Sequence, residues 1–229
     1  MKLQKRITVN GEEFPLVSEK IVLSLTAPGT AIFQVQAEQK LEGLVTFAMG
    51  WHFDARLTLF FTGEIQTSTR IDAKQQRLLC GEFSARLDKA SPISLRHPTL
   101  KEVLGAYAKQ TGISFIIPDK GYAVTKIPAF YGFGSAYQAM HNLGDVFHIP
   151  DYVWLTQADG KVFAGSWEDS RWKGREVEIP DGLFGKASAD GARTMTAAPG
   201  IRPGCHINGE RVTSVQFSGH EMRVLCKPL

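Results

Sequence analysis

The sequence predicts a mainly β protein with a small α/β segment set between β-rich ends, and three observations predict it. Short alternating strands punctuated by turn residues fill the first 95 positions; two capped, amphipathic helical stretches follow near residues 100 and 136; helical periodicity then disappears and hairpin signals return before the C-terminus.

The first strands open on a hairpin. Lys5 to Val9, Asn10-Gly11 and Glu12 to Val17 form two β runs around a two-residue turn that needs positive φ. Further strands are expected at Ile21 to Leu25, Ala31 to Gln36, Leu44 to Ala48, Ala55 to Ile65 and Gln76 to Phe83, with Pro28-Gly29, Gly43, Gly50 and Gly63 as separators. A run of strands without a helix suggests a barrel or a sandwich.

Near residue 96 the pattern changes. Thr99, Leu100, Lys101 and Glu102 form a capping box, in which hydroxyl and carboxylate satisfy the free amides of a helix start. Leu100, Val103, Leu104 and Tyr107 recur at helical spacing, Gly112 supplies a left-handed stop, and Ile113 to Ile117 is a compact β run closed by Pro118. A second helix is signalled by Ser135 with Gln138, and by Ala136, Ala139, Met140 and Leu143 on one face before Gly144. Asp151 to Thr156 and Lys161 to Ser166 bracket Asp159-Gly160 as another hairpin.

From Arg171 the chain reads as a long connection or projecting loop, punctuated by Gly174, Asp181-Gly182, Gly185 and Asp190-Gly191 and leading to Pro199-Gly200 and Pro203-Gly204. Cys205 to Ile207, Arg211 to Phe217 and Met222 to Cys226 then form a three-stranded meander turned at Asn208-Gly209 and Ser218-Gly219. The expected organisation is a first β-barrel over 1–95, an α/β segment over 96–170, and a loop with closing barrel strands over 171–229. No repeat of roughly 20 to 50 residues points to a solenoid or propeller.

With 229 residues, 43% of them hydrophobic and 21% charged, the composition is that of a folded chain rather than a disordered or collagen-like one. The net charge of +3 comes without a basic run, so no nucleic-acid partner is expected. Met1 to Asn10 lacks the apolar stretch of a secretory signal, and no segment approaches the ~18 apolar residues of a membrane span, so no membrane binding is expected. Cys80, Cys205 and Cys226, at irregular spacing, suit reduced thiols of a cytoplasm, with a Cys205 to Cys226 pair as the alternative.

Candidate chemistry is sparse. Gly132-Phe133-Gly134-Ser135 lacks the third glycine of a dinucleotide fingerprint and reads as a run into a helix cap. His141 and Asp145 share a helix face with His148 and Asp151 nearby, but nothing supplies a third metal ligand. Cys205 and His206 are neighbours in a strand, which points them to opposite faces, Cys inward and His outward. Glu168 and Asp169 beside Trp167 have the residue types of a glycosidase pair, although adjacent acids at a strand end are usually only solvated. Trp154, Trp167 and Trp172 suit a core first and an interface second. His52, His97 and His220 fall near turns, without a partner for base catalysis. No catalytic residue, cofactor or metal is expected.

Several segments together resemble the phage baseplate hub family, the late control protein D group and its relatives in Mu-like and siphophage-like tails. In the first half these are Phe33 and Val35 in a strand, the gap through Leu41 to Gly43, Phe47, and Phe60-Phe61-Thr62-Gly63-Glu64-Ile65, which is similar to a "Phe-x-Gly-x-Ile" strand. Leu95-Arg96-His97-Pro98-Thr99-Leu100, Ala106 to Phe115 as "Ala-x-x-x-Gln-Thr-Gly-x-x-Phe", and Ile127-Pro128-Ala129-Phe130 resemble the α/β insertion of the hubs. Trp154 to Gly160 with Val162, Gly165 and Trp167, then Pro199-Gly200-Ile201-Arg202-Pro203-Gly204, Asn208-Gly209 and Val212 to Val215, resemble a hub strand pair and the closing barrel. The likeness lies in the shared order of these segments, each of which alone is only turn chemistry and strand patterning. The chain departs from the larger hubs in being shorter, without an obvious extra domain for a spike or lysozyme module.

The resemblance implies two tube-like β-barrel modules flanking or combined with the helix-containing insertion. It also implies a non-enzymatic homotrimer whose pseudo-sixfold ring adapts the sixfold tail tube to a threefold tip. The implied partners are the tail tube or distal tail protein, the tail-tip or central fibre protein, and the tape-measure protein; the implied location is the virion tail tip, after synthesis in the host bacterial cytoplasm. Three rival readings compete: an exported secretin-type or transducer-type α/β domain, for Thr99 to Ile117; a tail-associated cell-wall hydrolase using Trp167 to Asp169; and a carbohydrate-binding module stacking sugars on the tryptophans.

Overall fold

The computed structural model describes residues 2–185 and 187–227 and is mainly β, as the sequence predicts. Strands β1 (Leu3–Val9) and β2 (Glu12–Phe14) form the first hairpin, with Ile7 opposite Phe14. Asn10 and Gly11 have φ of 50° and 89°, the double positive φ that a tight right-twisted hairpin requires. Then come β3 (Leu16–Ser24), β4 (Ala27–Gln36), β5 (Leu44–Trp51), β6 (Thr58–Arg70) and β7 (Gln75–Glu82).

Three expected separators lie inside strands. The β3–β4 turn falls at Leu25-Thr26, with Thr26 at φ 57°, while Pro28 and Gly29 belong to β4. Gly29 is there for close approach: a Cβ would meet the Leu23 side chain at 2.7 Å and the Glu82 carboxylate at 2.8 Å. Gly63 lies inside β6 against the backbone carbonyl of Gly81, and Gly50 inside β5 beside Asp54 and Leu57. Strand β6 starts at Thr58 rather than Ala55, because Asp54 closes a tight turn, its Oδ2 accepting from Trp51 N at 2.6 Å.

Alternation places Ala31, Phe33 and Val35 of β4 inside and leaves Ile32 outside. Phe60 and Phe61 are adjacent yet both buried, because the register with β5 shifts between Phe47 and Ala48 and leaves Phe60 as a bulge residue. Phe33, Phe47 and Phe61 form the centre of this core, with ring centroids 5.5 and 5.9 Å from Phe33.

After a 3-10 turn at Phe83–Asp88, the α/β segment has β8 (Ile93–Arg96), α1 (Leu100–Thr111), β9 (Phe115–Ile116), the single turn α2 (Gly121–Val124), β10 (Ala129–Gly132), α3 (Ala136–Val146), β11 (Tyr152–Thr156) and β12 (Val162–Ser166). The Thr99–Glu102 capping box is formed in full, and Gly112 ends α1 at φ 71°. Leu100, Val103, Leu104 and Tyr107 are fully buried. Helix α3 starts at Ser135, whose hydroxyl accepts from Gln138 N, and it continues through Gly144. The glycine serves packing there, since a Cβ would lie 2.7 Å from Tyr152. Strands β11 and β12 make the expected hairpin; β9, shorter than expected, runs parallel to β12, and β8 pairs with β10. Leu87, Met140, Leu143 and Trp154 belong to a second core under the helices.

The segment from Arg171 is not a free loop. It contributes β13 (Glu176–Val177) and β14 (Arg193–Thr196), because β13 pairs in parallel with β15 (His206–Ile207) and β14 pairs with β17 (Glu221–Lys227). The expected meander is completed by β16 (Glu210–Ser218), with Asn208 and Gly209 at φ 51° and 80°. Strand β16 also pairs with β3, Phe217 opposite Ile21, so both ends of the chain enter one twelve-stranded sheet. Phe217 reaches the first core, 5.9 Å from both Phe47 and Phe60. Lys5 of β1 bonds Glu19 of β3 at 2.6 Å, joining two strands that stand five places apart in the sheet order.

The three cysteines are free thiols; Cys80 and Cys205 are buried and Cys226 half-buried. Burial pushes the Cys80 thiol up to about 12 and Cys205 up to about 11, from an ordinary 9.0. Iodoacetamide at pH 8 is therefore expected to spare Cys80 and Cys205 in the native protein and to label them in denaturant, read by intact mass. Rapid native labelling of Cys80 would contradict its burial. The sign for stability follows from protons held: above pH 9 the unfolded chain loses thiol protons that the folded chain keeps, so stability falls as pH rises from 9 toward 12.

Candidate functional site

The acids that sequence reasoning weighed for chemistry are engaged elsewhere. Glu168 pairs with Lys173 at 2.7 Å, whereas Asp169 pairs with Lys120 at 3.0 Å and accepts from the Tyr122 hydroxyl at 2.8 Å. Asp169 is held below the ordinary carboxylate value by those bonds, which outweigh its partial desolvation. His141, Asp145 and His148 are exposed, and Asp151 receives both terminal nitrogens of Arg211, at 2.8 and 2.6 Å. Among the described residues no three His, Cys, Asp or Glu side chains gather as metal ligands. His52, His97 and His220 are exposed near turns.

The tryptophans are core residues divided between the two cores. Trp154 lies in the second, edge-on to Tyr137 at 5.7 Å, while Trp167 and Trp172 lie in the first. At 0%, 5% and 6% exposure they offer no stacking platform for a sugar. His206, expected outward, is buried like Cys205: its ring stacks on Trp167 with centroids 4.0 Å apart, and Nδ1 lies 3.7 Å from Glu176. Alternation fails because β15 begins only at His206 and its outer face is covered by the indole.

The polar centre of the molecule is Arg202, within the Pro199 to Gly204 motif. It is buried and spans three parts of the chain: it donates to the Phe60 carbonyl of β6, to Glu82 Oε1 of β7 at 3.1 Å, and to the Thr156 carbonyl of β11 at 3.1 Å. Its guanidinium also lies over the Phe60 ring, 5.5 Å from the centroid. Glu82 in turn accepts from Gly29 N at 2.8 Å. Burial holds the Glu82 carboxyl above its ordinary value, and Arg202 with the Gly29 amide offsets only part of that rise. Next to this junction Gly204, at φ 94°, lets Trp172 and Leu155 approach to 2.9 and 3.0 Å of where a Cβ would stand. The sequence marks the motif by its prolines and glycines, but the acceptors lie 46 to 142 residues away, which spacing cannot reveal.

Two surface features were not singled out by sequence. Tyr131 and Phe133, at the end of β10, are 59% and 85% exposed, with parallel rings 6.0 Å apart. A largely apolar groove of about 730 Å³ runs between the turn after β5 and the 177–201 segment, lined by Trp51, Val177, Ile179, Leu183, Met195 and Ile201 among others.

No family model matches the chain. A protein of Haemophilus phage HP1, the uncharacterized 58.7 kDa protein in the lys 3' region, is 34% identical over 223 residues; this is 96% of the chain but 41% of the phage protein, so the chain spans about two fifths of that relative's length. Among solved structures, the tail protein from Neisseria meningitidis MC58 is similar over 100% of the chain and 97% of its own, with TM-score 0.70 and 10% identity. The 43 kDa tail protein of prophage MuSo2 from Shewanella oneidensis is similar over 100% and 98%, at 0.68 and 10%. The E. coli c3393 protein, a component of the type VI secretion system, is similar over 100% and 77%, at 0.60 and 12%. The chain therefore has the fold of phage and prophage tail proteins, as its resemblance to the baseplate hub family implied.

Proposed function

We propose that the chain is a non-enzymatic baseplate hub subunit of a tailed phage, forming a trimeric ring that adapts a sixfold tail tube to a threefold tail tip. The observation that carries this reading is likeness to solved tail proteins over the full length of the chain. The divergent partners of Glu168 and Asp169 support a role without turnover. In this reading residues 1–95 and 171–229 supply tube-like strands, and 96–170 is the hub insertion. The chain sits at the virion tail tip after synthesis in the host cytoplasm. Its partners are other copies of itself, the tail tube or distal tail protein, the tip or central fibre protein, and the tape-measure protein, with no membrane binding by the chain alone and no specific nucleic acid. A ring assembly fits the physics of the fold, since neighbours cover strand edges and apolar patches that one subunit leaves open. Native mass spectrometry of the chain, alone and co-expressed with tail proteins, combined with negative-stain imaging, tests it. A trimer or threefold ring is expected; a strict monomer that never joins tail proteins and instead binds or cleaves glycan overturns it.

A further inference from the structure

Strand β10 is paired on one side only, by β8. Hydrogen bonds just beyond the strand ends fix the pattern, His97 N donating to the Pro128 carbonyl at 3.1 Å and Ser91 N to the Gly134 carbonyl at 3.2 Å. With Phe130 opposite Leu95 and Gly132 opposite Ile93, antiparallel alternation turns the backbone groups of Phe130 and Gly132 toward β8. The amides and carbonyls of Ala129, Tyr131 and Phe133 point the other way, and no backbone partner among the described residues takes them.

A hollow of about 310 Å³ lies between β10 and α3, with Phe133, Ala139 and Val146 in its wall. No residue of β8 lines it, which places it along the unpaired edge. Its lining carries no charged side chain; the polar groups are the hydroxyls of Tyr131 and Ser135 and the carboxamides of Gln138 and Asn142.

Folded proteins protect an open strand edge with charged side chains, proline or a bulge, or they cover it. The chain does both elsewhere. Strand β2 at one end of the large sheet carries Glu12 and Glu13, β13 at the other carries Glu176, and β8 carries Arg96. The uncharged edge strand β11 is covered by the β3–β4 turn, Thr26 N donating to the Trp154 carbonyl at 3.0 Å. The run Ala129-Phe130-Tyr131-Gly132-Phe133 has neither charge nor cover. Outward donors and acceptors at ladder spacing recognise an extended backbone, and the neutral hollow beside them suits neutral side chains. A charged side chain would lose its hydration there without meeting a counter-charge.

We propose that β10 takes up an extended, uncharged segment of another tail protein as a third strand, with apolar side chains of that segment in the hollow against Ala139 and Val146. This inference rests on the hub reading above and deepens it by naming the chemistry of the partner contact.

The test reads amide hydrogen exchange, by mass spectrometry with residue-level fragmentation, in the full chain alone and in its assembly with each of the tail tube, distal tail and tip proteins. In the free chain the Ala129, Tyr131 and Phe133 amides are expected to exchange fast, and those of Phe130 and Gly132 slowly. In one of the assemblies the outward three are expected to slow about tenfold or more. Two variants separate backbone from side-chain recognition. Tyr131→Pro removes an outward N–H that the fold does not use, at an edge position where proline is tolerated, so its melting temperature is expected to stay near wild type. Its association with the tail partner is expected to weaken about tenfold or more, whereas Tyr131→Ala, which keeps the N–H, is expected to lose less. If Tyr131→Pro fails to fold, the exchange of the wild-type assemblies still decides. Assemblies that form with the outward amides still fast overturn the inference and leave the hub reading standing. Protection that arises in a trimer of the chain alone assigns the edge to a second copy, and the inference falls. So it does if Tyr131→Ala loses as much as Tyr131→Pro, since the ring rather than the backbone is then recognised. A chain that never associates, with itself or with tail proteins, overturns both readings.

Discussion

Arg202→Ala is expected to destabilise the protein by about 3–5 kcal/mol, because it leaves the Glu82 carboxylate buried without its cation. For a chain of this size that corresponds to a fall in melting temperature of roughly 6–20 °C. The Phe60 and Thr156 carbonyls lose their shared donor in the same substitution, adding to the cost. A double-mutant cycle isolates the pair. Arg202→Met combined with Glu82→Gln is expected to cost clearly less than the sum of the two single changes, because the double variant buries neither charge. Strict additivity in denaturant titrations would show that the two groups do not stabilise one another. Since Arg202 also joins β6 and β7 to β11, its loss is expected to raise hydrogen exchange at both the large sheet and the α/β segment, which loss of a purely local contact would not do.

Phe217→Ala carries the second large effect. The ring is fully buried among Phe47 and Phe60, which belong to strands more than 150 residues earlier in the chain. Removing it takes away transfer energy and leaves a cavity, an expected loss of about 3–5 kcal/mol. Ile32→Ala is the matched control: Ile32 is 42% exposed on the outer face of β4, and its truncation is expected to stay within about 0.5 kcal/mol. The result that would sink the argument is a cost below ~1 kcal/mol for Phe217→Ala, which would mean that the C-terminal meander packs on the first core only loosely. A full cost means that residues 1–95 depend on strands supplied from beyond residue 171.

Much of the architecture was legible because its signals are local. Positive φ at Asn10-Gly11 and Asn208-Gly209, the Thr99–Glu102 capping box, the Ser135 cap and the Gly112 stop each depend on a few neighbouring residues, and each forms as read. Glycines misled where their role is contact rather than turning. Gly29, Gly50, Gly63 and Gly144 sit within elements because something passes close to them, and nothing in their immediate sequence announces what that is. The Trp154, Trp167 and Trp172 group shows the same limit, since proximity in sequence suggested one cluster and packing divides it between two cores.

The sequence by itself determined the mainly β class, the order of β, α/β and β segments, the helix termini and the hairpin turns, because propensity, capping and turn chemistry act over a few residues. Only the tertiary structure decided that both chain ends share one sheet, that Arg202 is the buried junction, that His206 lies under Trp167 rather than in solvent, and that an aromatic pair and an apolar groove remain uncovered. Those features depend on contacts between residues tens to hundreds of positions apart, where the free energy comes from burial and charge pairing in three dimensions, and a one-dimensional pattern carries no record of which distant surfaces meet.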